Sequence, residues 1–437
     1  MDAISIRKKY LFVLFIFIPC WASAGHEQHI EPNTSERITA DSLTDLVLDR
    51  NPGIEALLAI EEATNYQIDP ARSLDDPIFS YGFAPKTIDA DDGRGLNQNI
   101  RISQKIPWPG TLAAREREAI QTSKVAHEDV NALRLRLIAL TKSAFAEWYF
   151  VNRSLQIHRT TSELLEELRA VAETRYAAGR ALQQDVLQAE VEQRNLDRHG
   201  LQLTRLKYSI QAQINTLLNQ NPNTPLPIAA DFSIQKPIPP LAELEQRTID
   251  LHPELRRINA QVAANTARID LAEKNFYPDL EFFAGYNSLW NAHDKRPILG
   301  VSINVPFDRS KRKATLNMEK AKEHSLQMTL IDQKAQLLGE LATAYAETIE
   351  SSEAIILYEE SLVPLASEYL SATLADYESG AGTFLAVITA EQKKLITEEE
   401  LERNRANYFS QIAKLERWTG SSFDGHFAFS EGVQHDN

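Results

Sequence analysis

Few residues in this chain have the types and spacings that chemistry demands. His26-Glu27-Gln28-His29 offers two imidazoles and a carboxylate, a set that holds a transition metal when an ordered element fixes it, but it lies in a polar N-terminal stretch that reads as a tail. Ser379-Gly380-Ala381-Gly382-Thr383 has the closely spaced glycines of a phosphate cradle without the lysine that should follow them, so a turn between helices explains it better. Glu398-Glu399-Glu400 reads as the solvated face of a long helix. The ten histidines are scattered, and beyond Met1 only Met318 and Met328 supply thioethers, which excludes a soft-metal ladder. No nucleophile, base and orienting group can be assembled. The reading is of a non-enzyme with no cofactor and no metal site. A net charge of -15 over 437 residues also argues against nucleic acid as a partner.

The remaining signals concern architecture and address. Arg7, Lys8 and Lys9 precede an apolar run from Leu11 to Ile18, and Ala22-Ser23-Ala24 supplies the small residues of a signal-peptidase site, so cleavage is expected after Ala24. A lipoprotein signal ending at Cys20 is the competing reading, which bulky Phe17 and ring-constrained Pro19 fit poorly. Removing three basic residues and one acid takes the net charge from -15 to -17 and leaves no cysteine. No later stretch approaches the roughly 18–20 apolar residues of a membrane-spanning helix.

The chain repeats itself. Asn51-Pro52 answers to His252-Pro253, Asp76-Pro77 to Tyr277-Pro278, Ile106-Pro107-Trp108 to Val305-Pro306-Phe307, and Ala144–Glu147 to Ala344–Glu347. Tyr176–Gly179 answers to Tyr377–Gly380, and Val186–Glu190 to Val387–Glu391, so the offset stays within 199–201 residues. Six prolines between Asn219 and Pro240 mark the connection between the copies.

Each copy reads as helix, strand, strand, very long helix and helix. Thr111–Ala178 contains neither proline nor glycine, and at 1.5 Å per residue it would extend about 100 Å. Ser42–Ser73 and Leu182–Leu218 together match it in length, as Glu243–Asn275 and Thr383–Trp418 together match Lys311–Ser379. A rod therefore runs away from the strands, reverses at Gly179 or Gly380, and returns in two pieces. Pro364 should interrupt the second rod. Leu133, Leu137, Leu140, Ala144 and Val151 suit either coiled-coil packing or an ordinary antiparallel bundle.

The strand segments alternate with period two. Phe79, Tyr81 and Phe83 share a face against Ser80 and Gly82; Ile100, Ile102 and Ile106 oppose Asn99, Arg101, Ser103 and Lys105. Leu280, Phe282, Ala284 and Tyr286 alternate with Glu281, Phe283, Gly285 and Asn287, and Leu299, Val301, Ile303 and Val305 with Gly300, Ser302 and Asn304. At 8–10 residues they suit tilted membrane strands. Four strands cannot close a barrel, so the choice lies between a barrel shared by several chains and a soluble sheet packed on helices.

In these duplicated motifs, from about Leu43 to Gly420, the sequence resembles the TolC-type outer-membrane efflux channel family. Val363-Pro364-Leu365-Ala366 with Tyr377 and Gly380 is most similar to channels of resistance-nodulation-division pumps, including the CusC and CzcC type that exports metal ions. The resemblance implies a mainly α protein with a small β part, forming a homotrimer with a shared twelve-strand barrel in outer-membrane lipid and a helical tunnel into the periplasm of a Gram-negative bacterium. It also implies a periplasmic adaptor and an inner-membrane pump as partners, with metal cations as the favoured cargo and organic compounds as the alternative. Apart from the resemblance, a soluble periplasmic coiled-coil adaptor or scaffold is the competing reading, though the sequence lacks the lipoyl-like β-domain of adaptors. The expected organisation is a signal peptide over 1–24, a tail over 25–41, repeats over 42–221 and 242–425 joined by a linker over 222–241, and a tail over 426–437. By position, Tyr176, Gly179, Tyr377 and Gly380 lie at the adaptor-contacting tips. Arg180 and Asp185 are candidates to narrow the tunnel mouth, with helix capping and solvation as their ordinary alternative. The second repeat places Gly382 and Thr389 where polar or charged partners would be expected. Replacing Gly179 or Gly380 by Val should impair pump coupling without abolishing assembly, because a branched side chain resists the left-handed turn; efflux unchanged in both variants would contradict this.

Overall fold

The computed structural model describes residues 37–84, 97–232, 238–288 and 293–423; the leader, Cys20, Ala24 and the histidines at 26 and 29 lie outside them. The first repeat consists of α1 (Ala40–Arg50), α2 (Pro52–Tyr66), α3 (Ile68–Arg72), β1 (Ile78–Ala84), β2 (Asn97–Ile106), α4 (Thr111–Ala177) and α5 (Gln183–Leu217). The second contains α6 (Leu241–Leu251), α7 (Pro253–Lys274), β3 (Leu280–Asn287), β4 (Pro297–Ile303), α8 (Arg309–Leu357), α9 (Val363–Ser379) and α10 (Phe384–Thr419).

Each segment expected as one helix before the strands is broken, and the same chemistry breaks both. Pro52 and Pro253 have no N–H to continue the preceding helix and a φ suited to starting a new one. Asn51 accepts the Gly53 N–H at 3.0 Å, and His252 Nδ1 accepts the Glu254 N–H at 3.2 Å. Pro364 does interrupt the second rod. Ahead of it Tyr358–Leu362 forms a π-helical turn, with the Val363 N–H reaching the Tyr358 carbonyl, a wider turn that accommodates a ring where an α-helical carbonyl would collide with it.

The four strands form one antiparallel sheet in the order β1-β2-β3-β4. Its register places Phe79 beside Ile102, Ile102 beside Ala284, and Ala284 beside Leu299, so most apolar residues of the four strands share one face, with Ile78, Phe283 and Ile298 on the other. β4 ends at Ile303, leaving Val305 beyond the strand. The helices nearest the sheet pack in the order α2, α4, α7, α8.

Farther from the sheet the two copies interlock through α4 and α10. Trp148, Phe145, Leu43, Val47 and Ile214 form one core, and Leu244, Leu341 and Leu415 another. Lys142 Nζ meets Glu416 at 2.6 Å with both side chains nearly buried, while Arg403 grips Glu147 through both carboxylate oxygens and lies 3.5 Å from the centre of the Phe150 ring. The proline-rich connection is a packed strut rather than a loose spacer over its described N-terminal part. The Pro227 carbonyl accepts the Trp148 indole N–H at 2.8 Å, Ile38 bridges to Ala229, and Phe232 packs on Tyr149 and Phe409. Its prolines pre-set an extended backbone that can lie along helices.

His252 makes the second break pH-sensitive. Burial holds its pKa down at about 4, helped by Arg417 and opposed by Glu254. As pH falls from about 6.5 to about 4 the unfolded chain takes up a proton that the folded chain refuses, so stability falls, by up to about 3 kcal/mol. His252→Asn copies Asn51, keeps the cap and should flatten this acid sensitivity. Melting in detergent at pH 7 and pH 5 checks it, and an unaltered loss on acidification would contradict it.

Candidate functional site

The end of the rods far from the sheet is made by two turns that sequence reasoning singled out. α4 closes through the Arg180 N–H, which donates to the Arg175 carbonyl at 2.8 Å, and α9 through the Ala381 N–H, which donates to the Asp376 carbonyl at 2.9 Å. Both closures need a left-handed residue, supplied by Gly179 at φ 71° and Gly380 at φ 86°. A Cβ at either would meet open space, so the constraint is the backbone alone. Gly382 is different: a Cβ there would come within 2.9 Å of Asp376.

Between these turns the copies differ. Tyr377 is buried, edge-on to Phe384 at 5.3 Å, whereas Tyr176 is 47 % exposed. The Arg175 guanidinium lies 4.7 Å from the centre of the Tyr377 ring and donates to the Glu378 carbonyl at 3.0 Å, fastening the first tip to the second. Burial and the nearby Asp185 carboxylate push the Tyr377 phenol up, against the opposing charge of Arg175. Asp185 lies in the first turn of α5, and the Tyr377 hydroxyl forms no hydrogen bond among the described residues. Arg180 is exposed and forms no ion pair among the described residues. Thr389 is exposed and bonds back to the Leu385 carbonyl. Arg175 was missed by motif reading. The signal was available in the repeat offset, which sets Arg175 against Asp376, opposite charges at matching positions.

Above the tips, the carboxylates of α10 do not form a uniform solvated face. Glu391 is almost wholly buried and burial pushes its pKa up to about 7, with Glu192 and Glu398 adding and Lys394 opposing. Glu399, half-buried, is also pushed up to about 7, first by burial and then by Glu400, with Arg403 opposing. The run at 398–400 faces three different surroundings, which charge counting cannot see. Among the described residues no group of three or more His, Cys, Asp or Glu is placed to hold a metal ion.

At the other end, the sheet turns its apolar face outward. Phe79, Tyr81 and Phe83 of β1, Ile102 of β2, and Leu299 and Val301 of β4 are all exposed, Leu299 at 85 %. The opposite face carries the charged pairs: Arg101 bonds Glu281 at 3.1 Å and lies 4.0 Å from the centre of the Phe283 ring, and Lys105 meets Asp279 at 2.9 Å. The Phe283 ring rests on Gly300, where a Cβ would come within 2.2 Å of it. No helix among the described residues is long and apolar enough to cross a membrane. A sheet apolar outside and charged inside can stand between hydrocarbon and a hydrated lumen.

The model of the family described as Outer membrane efflux protein matches residues 43–220 and 244–421, one match on each repeat. The pyoverdine export outer membrane protein OpmQ of Pseudomonas aeruginosa is 22% identical over 330 residues, covering 71% of this chain and 67% of that protein. Among solved structures, the outer-membrane channel OprN superposes with a TM-score of 0.75 at 20% identity, over 88% of this chain and 90% of its own. The transmembrane channel CusC gives 0.75 at 16% identity, over 88% and 92%. Channels of this family sit in the outer membrane and extend into the periplasm, work as trimers with periplasmic adaptors and inner-membrane pumps, and are not enzymes. The chain belongs to the Outer membrane efflux protein family.

Proposed function

We propose that the chain is the exit duct of a tripartite resistance-nodulation-division pump, one third of a twelve-strand barrel that continues as a helical tunnel into the periplasm. The observation that carries this is the four-stranded sheet with its apolar face exposed and, among the described residues, no partner on the outer side of β1 or β4. In hydrocarbon each unpaired backbone group costs several kcal/mol, and copies joined β4 to β1 remove that cost. The turns at Gly179 and Gly380 are then the adaptor-facing tips, and Arg175, crossing to Tyr377 and the Glu378 carbonyl, holds the mouth, with the acidic Asp185 nearby.

The duct does no chemistry on its cargo, so cargo choice rests with the pump. Metal cations, the favoured cargo on sequence, gain no support from the described side chains. The likeness to a protein described as exporting pyoverdine supports small organic compounds instead. The net charge of -17 expected after the leader is removed, from -15 for the full sequence, favours cations over anions wherever it lines water.

In planar bilayers the detergent-extracted protein should form pores that are mostly closed. Arg175→Ala, which frees Tyr377 and the Glu378 carbonyl, should raise the open conductance several-fold while leaving the trimer intact. Recovery as a soluble monomer without detergent would contradict the channel reading, and unchanged conductance in Arg175→Ala would contradict only the assigned mouth.

A further inference from the structure

The two edges of the sheet-proximal half carry opposite charge. On the β1 side, residues 52–76, which include α2 and α3, hold six carboxylates against one arginine. On the β4 side, residues 309–334 at the start of α8 hold seven cations against three carboxylates. The basic cluster also opposes its own helix dipole: Arg309, Lys311, Arg312 and Lys313 crowd the first turn or two, where anions are favoured. Arg312 is occupied by the carbonyls of Asn275 and Asp308. Arg309, Lys311 and Lys313 are exposed and, among the described residues, form no ion pair; the same holds for Asp75 and Asp76 just before β1. Asp69 pairs with Arg72 at 2.7 Å but stays exposed.

Both edges also expose large apolar side chains along their helices. Leu58, Ile60 and Tyr66 are uncovered on α2, and Met318, Met328 and Ile331 on α8. Because the helices pack in the order α2, α4, α7, α8 and the strands in the order β1 to β4, these are the two outer flanks of one layer.

We propose that the acidic α2–α3 flank of one copy docks on the basic α8 flank of the next, forming a charged seam that fixes which edge meets which. The proposal rests on the channel reading above and deepens it. Antiparallel pairing of β4 with the next copy's β1 would set the end of β4 at Ile303 against the start of β1 at Ile78. That juxtaposition brings Arg309, Lys311 and Lys313 beside Asp75 and Asp76 of the neighbour. Such a contact is heterologous, so each copy presents one edge of each sign and a ring closes only head to tail. Like edges repel, which disfavours a two-copy assembly through matching flanks and stacked side-by-side errors. The apolar residues supply the adhesion and the charges supply the register.

The test compares full-length chains in detergent at low ionic strength, reading the temperature at which the trimer dissociates. Reversing one edge by Asp75→Lys with Asp76→Lys, or the other by Arg309→Glu, Lys311→Glu and Lys313→Glu, should lower it by about 5–10 °C. Combining both sets restores complementarity and should recover most of the loss, which a merely misfolded variant would not do. High salt should weaken the wild-type trimer and narrow the gap between variants. The seam is overturned if neither reversal shifts the dissociation temperature, if the combined variant is no better than either alone, or if the basic reversal loses only binding to phosphatidylglycerol vesicles while the trimer is unaffected. A wild-type chain that is monomeric throughout would overturn the channel reading itself.

Discussion

Backbone hydrogen bonding at the sheet edges is the constraint on which everything else depends. A strand touching hydrocarbon must pair on both sides, and among the described residues β1 and β4 each have one partner strand. In the proposed shared barrel, side-chain alternation sets which face meets lipid, and further copies complete the ladder. That requirement explains why the protein is built from short strands mounted on very long helices. In that barrel the lipid-contacting part would be small, with most of the chain in the rods that carry it.

The rods answer a second requirement, that the two repeats keep a fixed register on each other. α4 of the first copy packs against α7 and α10 of the second, and the contacts are those that fix orientation: a nearly buried lysine–glutamate pair, an arginine gripping both oxygens of Glu147, and a tyrosine hydroxyl donating to Glu402 at 2.7 Å. A buried ion pair of this kind contributes little net stability but penalises its own disruption, so it specifies register more than it strengthens the fold. At the tips the same logic appears with fewer atoms, as Arg175 crosses from one repeat to the other.

Much of this was legible in sequence because it is local. Alternation at Phe79, Tyr81 and Phe83, the proline-free run from Thr111, and the glycines at 179 and 380 each encode a backbone state directly. The helix breaks at Asn51 and His252 were visible as repeated Xaa-Pro pairs, yet their meaning as caps depends on which N–H groups lack partners. Other features were hidden because they arise between distant segments. The burial of Glu391, the different fates of Glu398, Glu399 and Glu400, and the packing of Phe232 on Tyr149 follow from tertiary contacts that no window of sequence contains. Duplication also misled where it was imperfect: Tyr176 and Tyr377 match in sequence, but only Tyr377 is enclosed, because Arg175 has no counterpart of the same sign.

The central claim, that β1 and β4 are interior strands of a shared barrel, makes their outward N–H groups as inaccessible as those of β2 and β3. Hydrogen exchange on the protein in lipid, read strand by strand, measures this directly. In a shared barrel β1 and β4 are protected to the same degree as the two central strands. Rapid exchange along the outer sides of β1 and β4, with protection confined to β2 and β3, would contradict it.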